Sequence, residues 1–279
     1  MTLGRTLLLG AIAGGTILLG MPLGRLRKPV PMVRLALTAV AIGVLLFLVW
    51  DVLSAAYDPI DVALGKVHDH TGGLAPVWGY GSLFAGGLVV GLMSLVYYER
   101  VLARRARPAP AAVTPSNNPS DVVAAGRRLA LMIAIGIGLH NFGEGLAIGG
   151  SAARGEVGLA TILVIGFALH NATEGFGITA PLAANAGDDR QRPSWAYLLG
   201  LAAIGGGPTF IGTWVGHGFT SDPLSVVFLT LAAGSILYVV IQLVGMTSKA
   251  NRRDILCWGL LLGLMAGFVT DFVVTAGGA

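Results

Sequence analysis

The residues best suited to chemistry in this chain stand in two copies of one pattern. Gly138-Leu139-His140-Asn141-Phe142-Gly143-Glu144-Gly145 is followed by Ala168-Leu169-His170-Asn171-Ala172-Thr173-Glu174-Gly175, so His-Asn-x-x-Glu-Gly occurs twice. Positions i and i+4 share one face of an α-helix, and each histidine therefore points the same way as its glutamate. Two neutral imidazoles and two carboxylates form an N/O ligand set suited to Zn²⁺ and open to other first-row divalent ions. One such ion would balance both carboxylate charges. Asn141 and Asn171 add amide oxygens beside the set, for a second, oxygen-rich position or for contacts that orient the ligands. A single His-Glu pair reads equally well as a hydrogen-bonded clamp between helices, whereas two pairs at one depth favour a metal. A haem iron could use His140 and His170 but has no need of the glutamates. A metalloprotease would need H-E-x-x-H, which is missing.

Helices must hold these motifs, and the composition says in what solvent. Of 279 residues, 54% are hydrophobic and only 11% charged, where a soluble domain carries about 25% charged residues. This points to an all-α, polytopic membrane protein and excludes a disordered chain and a nucleic-acid binder. The single cysteine, Cys257, excludes a disulfide scaffold and a thiolate metal site. Apolar stretches of about 20 residues predict eight transmembrane helices over residues 3–23, 32–53, 77–102, 129–151, 157–184, 195–215, 224–245 and 256–276. The first is read as a retained span, because its apolar run exceeds that of a removable leader. His140 lies about 16 Å from the end of span four and His170 about 20 Å from the start of span five. On antiparallel neighbours the two motifs thus share one mid-membrane level. An ionisable group there costs about 2.5–3.5 kcal/mol on insertion scales, so one that is kept has work to do.

Basic residues orient the bundle. All of the 18 lysines and arginines except Arg5, Lys66 and Arg154 fall in the loops after spans one, three, five and seven. By the positive-inside rule those loops are cytoplasmic and both termini lie outside. The Pro- and Ala-rich stretch around 103–126 reads as a cytoplasmic linker, with Arg104 to Arg107 set against anionic headgroups. Asp51 is expected at the outer end of span two, where it could face a pathway. Asp58, Asp61, His68, Asp69 and His70 are expected in the next outer loop, and Asp271 mainly in solvent. The chain as a whole, residues 1–279, reads as a single transmembrane domain in the inner (plasma) membrane.

The twin motifs HNFGEG and HNATEG, with eight spans and a long loop after span three, resemble the ZIP (Zrt/Irt-like protein) family of divalent metal transporters, bacterial branch. The run Ala232-Ala233-Gly234-Ser235-Ile236-Leu237-Tyr238-Val239-Val240 is similar to that family's span-seven signature. The resemblance implies passage of a metal ion, zinc first among the candidates, into the cytoplasm through a central site, often in a homodimer. It implies no enzyme activity and no organic cofactor; the metal is substrate, and the partners are the ion and the bilayer. The chain departs from the pattern at Gly143 and Thr173, where the family commonly has proline, and at Gly207 and Gln242, where many members carry acids that complete a second metal position and an exit route. These departures keep alternatives in play: a non-transporting metal sensor, a degenerate transporter or, further off, a membrane metalloenzyme.

Overall fold

With no water in a hydrocarbon layer, backbone N–H and C=O groups must pair within the chain, and a helix pairs them inside one segment. The computed structural model describes residues 1–25, 31–105, 119–155, 157–182, 192–218 and 221–276; for a few residues inside the helices, His170 among them, only the backbone is described. The described residues form eight α-helices: α1 (Leu3–Gly15), α2 (Pro31–His68), α3 (Ala75–Arg105), α4 (Pro119–Ala153), α5 (Val157–Thr179), α6 (Trp195–Gly218), α7 (Asp222–Thr247) and α8 (Arg253–Ala276). Two short 3-10 turns carry the first span on from α1 to Arg25. Seven of these spans are long and apolar enough to cross a membrane; α5, at 23 residues, is about 34 Å long. The chain is a multi-pass helical membrane protein.

Several expected boundaries move. α2 does not stop near residue 53 but runs on to His68, because its polar residues beyond Asp51 continue the helix past the apolar stretch. Asp51 therefore sits in mid-helix, and Asp58 and Asp61 are helical rather than loop residues. Residues 119–126, expected in the linker, begin α4. The rest of that linker, 106–118, lies outside the described residues.

The helices sort into two groups. α1, α4, α5 and α6 pack chiefly on one another, and so do α2, α3, α7 and α8; α4 on α7 and α2 on α5 join the groups. Within each group the seams run through glycine. A side chain on Gly145 would strike the Thr209 carbonyl of α6, and one on Gly263 would strike the Val40 carbonyl of α2. Such close backbone approach is how helices associate where lipid is as apolar as the side chains. Between the groups the contacts pass through side chains instead, Leu229 on Gly143 and Val239 on Gly136.

The core is lopsided. Its largest cluster gathers Ile42, Leu45, Met132, Ile133, Ile137, Leu198, Leu201, Val239 and Leu243, all toward the end where α2, α4, α6 and α8 begin. At that same end the Arg25 guanidinium lies over the Trp195 ring, Arg127 lies over Tyr197, and the Tyr197 hydroxyl donates to the Arg127 carbonyl. Arginines on aromatic rings at a helix end mark a membrane–water boundary.

The glycine seams make a direct prediction. Gly145→Ala should destabilise the folded protein by about 1–3 kcal/mol through overpacking. Gly207→Ala, with open space around its added carbon, should be neutral or gain from the better helix propensity of alanine. Thermal unfolding in detergent reads the order; the reverse ranking would contradict the seam.

Candidate metal centre

α4 and α5 bring the two motifs together. His140, Asn141, Glu144, Asn171 and Glu174 are all at least 95% buried, and their burial follows from position: Gly138 and Gly145 draw α4 tight against α6, while α5 closes the other flank. His140 Nε2 lies 2.9 Å from Glu144 Oε1 on its own helix and 4.0 Å from Glu174 Oε1 across on α5. Ligand atoms on a tetrahedral zinc with bonds near 2.0–2.2 Å stand roughly 3.3 Å apart. The two separations, 2.9 and 4.0 Å, lie on either side of that spacing. Among the described residues no three histidine, cysteine or acidic side chains already close into a finished cage. His170 lies on α5 one turn before Glu174; its side chain is outside the described residues.

The asparagines hold neighbours. Asn141 Nδ2 donates to Glu174 Oε2 at 3.1 Å and to the Gly205 carbonyl of α6 at 2.9 Å. Asn171 Nδ2 donates to the Ala13 carbonyl of α1 at 3.0 Å. Neither Oδ1 has a hydrogen-bond partner among the described residues. α6 carries Pro208 within its continuous helix here, and that residue offers no N–H to the Ile204 carbonyl; Gly138 packs directly on that carbonyl.

A cavity of about 220 Å³ reaches His140 and Glu144, lined also by Asp51 and Ala55 of α2, Phe167 of α5, and Thr270 and Asp271 of α8. It lies between the two helix groups, with Phe47 and Leu48 at the edge of the large apolar cluster forming part of its wall. Asp51, expected at a span end where it could face a pathway, lines this cavity. Asp271, expected mainly in solvent, is half-buried and stands in the same wall, on the side of α8 that packs along α2. Pro59 stands inside the continuous α2, one turn after Ala55, and supplies no N–H to the Ala55 carbonyl. His68, expected in the outer loop, is the exposed last residue of α2, and Asp69 and His70 are exposed in the turn that follows.

The two departures from the acidic pattern land in different places. Gly207 lines a groove between α1 and α6 and is not among the residues lining the cavity. Gly205, two residues earlier, faces Asn141, so Gly207 is turned roughly 200° away from it. Gln242 donates from Nε2 to Glu99 Oε2 of α3 at 3.0 Å and to the Tyr238 hydroxyl at 2.8 Å; that hydroxyl lies 2.9 Å from the same Glu99 oxygen. An acid thus stands beside Gln242, delivered by another helix. Glu99 escaped sequence reasoning because it sits at a span end, where acids are usually solvated; its helical spacing from Tyr97 and Tyr98 gave no separate signal.

The comparisons with known proteins agree with this architecture. The family described as ZIP zinc transporter matches residues 109–270, more than half of the chain. The zinc transporter ZupT of Enterobacter sp. (strain 638) is 29% identical over 284 residues, spanning 97% of this chain and 98% of its own. The zinc transporters ZupT of Salmonella heidelberg (strain SL476) and Salmonella newport (strain SL254) are each 29% identical over 266 residues, with 92% of both chains covered. The family match over more than half of the chain, with relatives aligned along most of its length, shows that this protein belongs to the ZIP zinc transporter family, a family of transporters rather than enzymes.

Proposed function

We propose that this protein carries a divalent transition-metal ion, zinc first, across the membrane into the cytoplasm, holding it in mid-membrane with His140, Glu144, His170 and Glu174. The observation that carries the reading is the convergence of the His140 imidazole with carboxylates from two helices, 2.9 and 4.0 Å away, at the floor of a cavity that two further acids, Asp51 and Asp271, line. Two buried carboxylates facing one imidazole are costly without a cation and well matched to a dication.

The direction follows from the basic residues. With the arginine-bearing loops in the cytoplasm, the cavity opens outward and the cluster of Met132, Ile133, Ile137, Val239 and Leu243 seals the inner half. The described arrangement is then outward-facing. A cation drawn in past Asp51 and Asp271 exchanges water for the motif ligands. Release requires the group bearing α4 and α5 to shift against α2 and α7, parting the apolar seal, which is alternating access around a fixed site. The side-chain contacts between the groups suit such a shift better than glycine seams would. Below the seal, Glu99 with Gln242 takes the place of a span-seven carboxylate on the way out. The chain makes and breaks no covalent bond.

Uptake of Zn²⁺ into proteoliposomes is the test. Wild type should accumulate the ion and Glu144→Ala should lose at least 90% of the rate; absence of flux in the intact protein would leave a sensor or a degenerate transporter. Proton and metal compete for the same imidazole nitrogen, so acidifying the outer medium should slow uptake; a rate that rose on acidification would contradict imidazole ligation. The outward-facing assignment predicts that Ala55→Cys, in a Cys257→Ser background because Cys257 is exposed, reacts from outside with an impermeant thiol reagent while Val239→Cys does not. Equal labelling of both would refute the seal.

A further inference from the structure

We infer that the groove between α1 and α6 binds one anionic phospholipid, with its phosphate held at Arg25 and one acyl chain laid along the groove. The inference is independent of the metal and of transport. The groove has a volume of about 350 Å³ and is walled by Leu18 of the first span and by Leu199, Ala203, Gly207 and Phe210 of α6, and every residue lining it is apolar or glycine. From Leu199 to Phe210 the helix rises about 16 Å, one leaflet's share of a hydrocarbon core about 30 Å thick. Gly14 against Gly206 closes its floor, while Gly207 leaves open space where a larger residue would project. An apolar slot at this depth takes up hydrocarbon and not water.

The end of the groove supplies the charge. Leu199 stands one turn after Trp195, on the same face of α6, and the two are 54% and 51% exposed. The Arg25 guanidinium lies over the Trp195 ring, 5.3 Å from its centre, and donates from one terminal nitrogen to the Pro193 carbonyl at 2.7 Å. A guanidinium stacked by its face keeps its other in-plane N–H groups for acceptors at its edge, and phosphate oxygens fit that fork. Among the described residues no carboxylate lies within ion-pair distance of Arg25. The acids described at this end of the bundle, Glu99 and Asp254, belong to the other helix group and are engaged there, Glu99 by Tyr238 and Gln242 and Asp254 by Arg252 at 2.7 Å. A cation fixed at headgroup level above an apolar slot one leaflet deep is complementary to an amphiphile with an anionic head.

Native mass spectrometry of the purified protein in neutral detergent, titrated with phosphatidylglycerol or with phosphatidylcholine of the same acyl chains, tests the site. Wild type should retain one phosphatidylglycerol per chain and prefer it over phosphatidylcholine by about fivefold or more, the worth of one arginine at an anionic surface. Arg25→Gln should remove that preference. Arg100→Gln takes the same charge from α3, where Arg100 lies over Tyr97, and should leave the preference within about twofold of wild type. Gly207→Leu fills the slot without touching the charge and should weaken both lipids together. No preference in wild type, or equal losses in Arg25→Gln and Arg100→Gln, would overturn the site. So would displacement of the lipid by inorganic phosphate alone, which would mark a soluble-anion site, or a lipid-free dimer that Gly207→Leu dissociates, which would put a second copy in the groove. Lipid binding seen only in Asp188→Asn/Asp189→Asn would give Arg25 to the chain's own acids instead.

Discussion

Two carboxylates in a medium that cannot solvate them set the terms for everything else in this molecule. Glu144 and Glu174 are 5% and 2% exposed, on helices whose remaining surface is apolar. Their charge has to be answered within a few ångströms, and the chain answers it with an imidazole from the same face and an amide from the next residue. A dication completes what these neutral groups can only begin, since Coulomb attraction at such distances grows several-fold as the local dielectric falls from that of water. In the proposed function the cargo dication supplies the positive charge that the imidazole and the amide do not.

Meeting that demand on two helices at one depth dictates the packing. α4 has to approach α6 closely enough for Asn141 to reach the Gly205 carbonyl, and only residues without side chains permit it, as at Gly145 and Gly212. The same economy joins α2 to α8 and α3 to α7, so each helix group is stiff within itself. The boundary between the groups is made of Leu229, Val239 and other ordinary side chains, and the cavity opens along this boundary. In the proposed mechanism the helix group carrying His140, Glu144 and Glu174 moves against the group carrying Asp51 and Asp271, which would change access to the ion without dismantling its ligands.

Much of this was legible in the sequence because the membrane makes few patterns allowable. Apolar runs gave the helices, and the i, i+4 spacing of His140 with Glu144 gave a shared face before any coordinate. What stayed hidden depended on rotation and on partners. Asp271 looked solvated from its place near a span end; only the packing of α8 on α2 turns it into the cavity wall. Gly207 looked like a vacant ligand position, yet which side of α6 meets α4 is set by Gly138 and Gly145, features of another helix. Glu99 is separated from Gln242 by more than half of the chain, and no local pattern links them. α2 outran its apolar stretch because a helix does not need hydrophobic residues once it has left the hydrocarbon, only paired backbone groups.

The central claim is that the twin motifs hold one metal ion with both imidazoles and both carboxylates. X-ray absorption at the zinc edge on the Zn²⁺-loaded protein in lipid tests it most directly. The account predicts one zinc per chain, with four nitrogen or oxygen neighbours at about 2.0–2.2 Å, the scattering signature of two imidazoles, and loss of that signature in Glu144→Ala. A zinc with no imidazole neighbour, or a spectrum unchanged by Glu144→Ala, would contradict it.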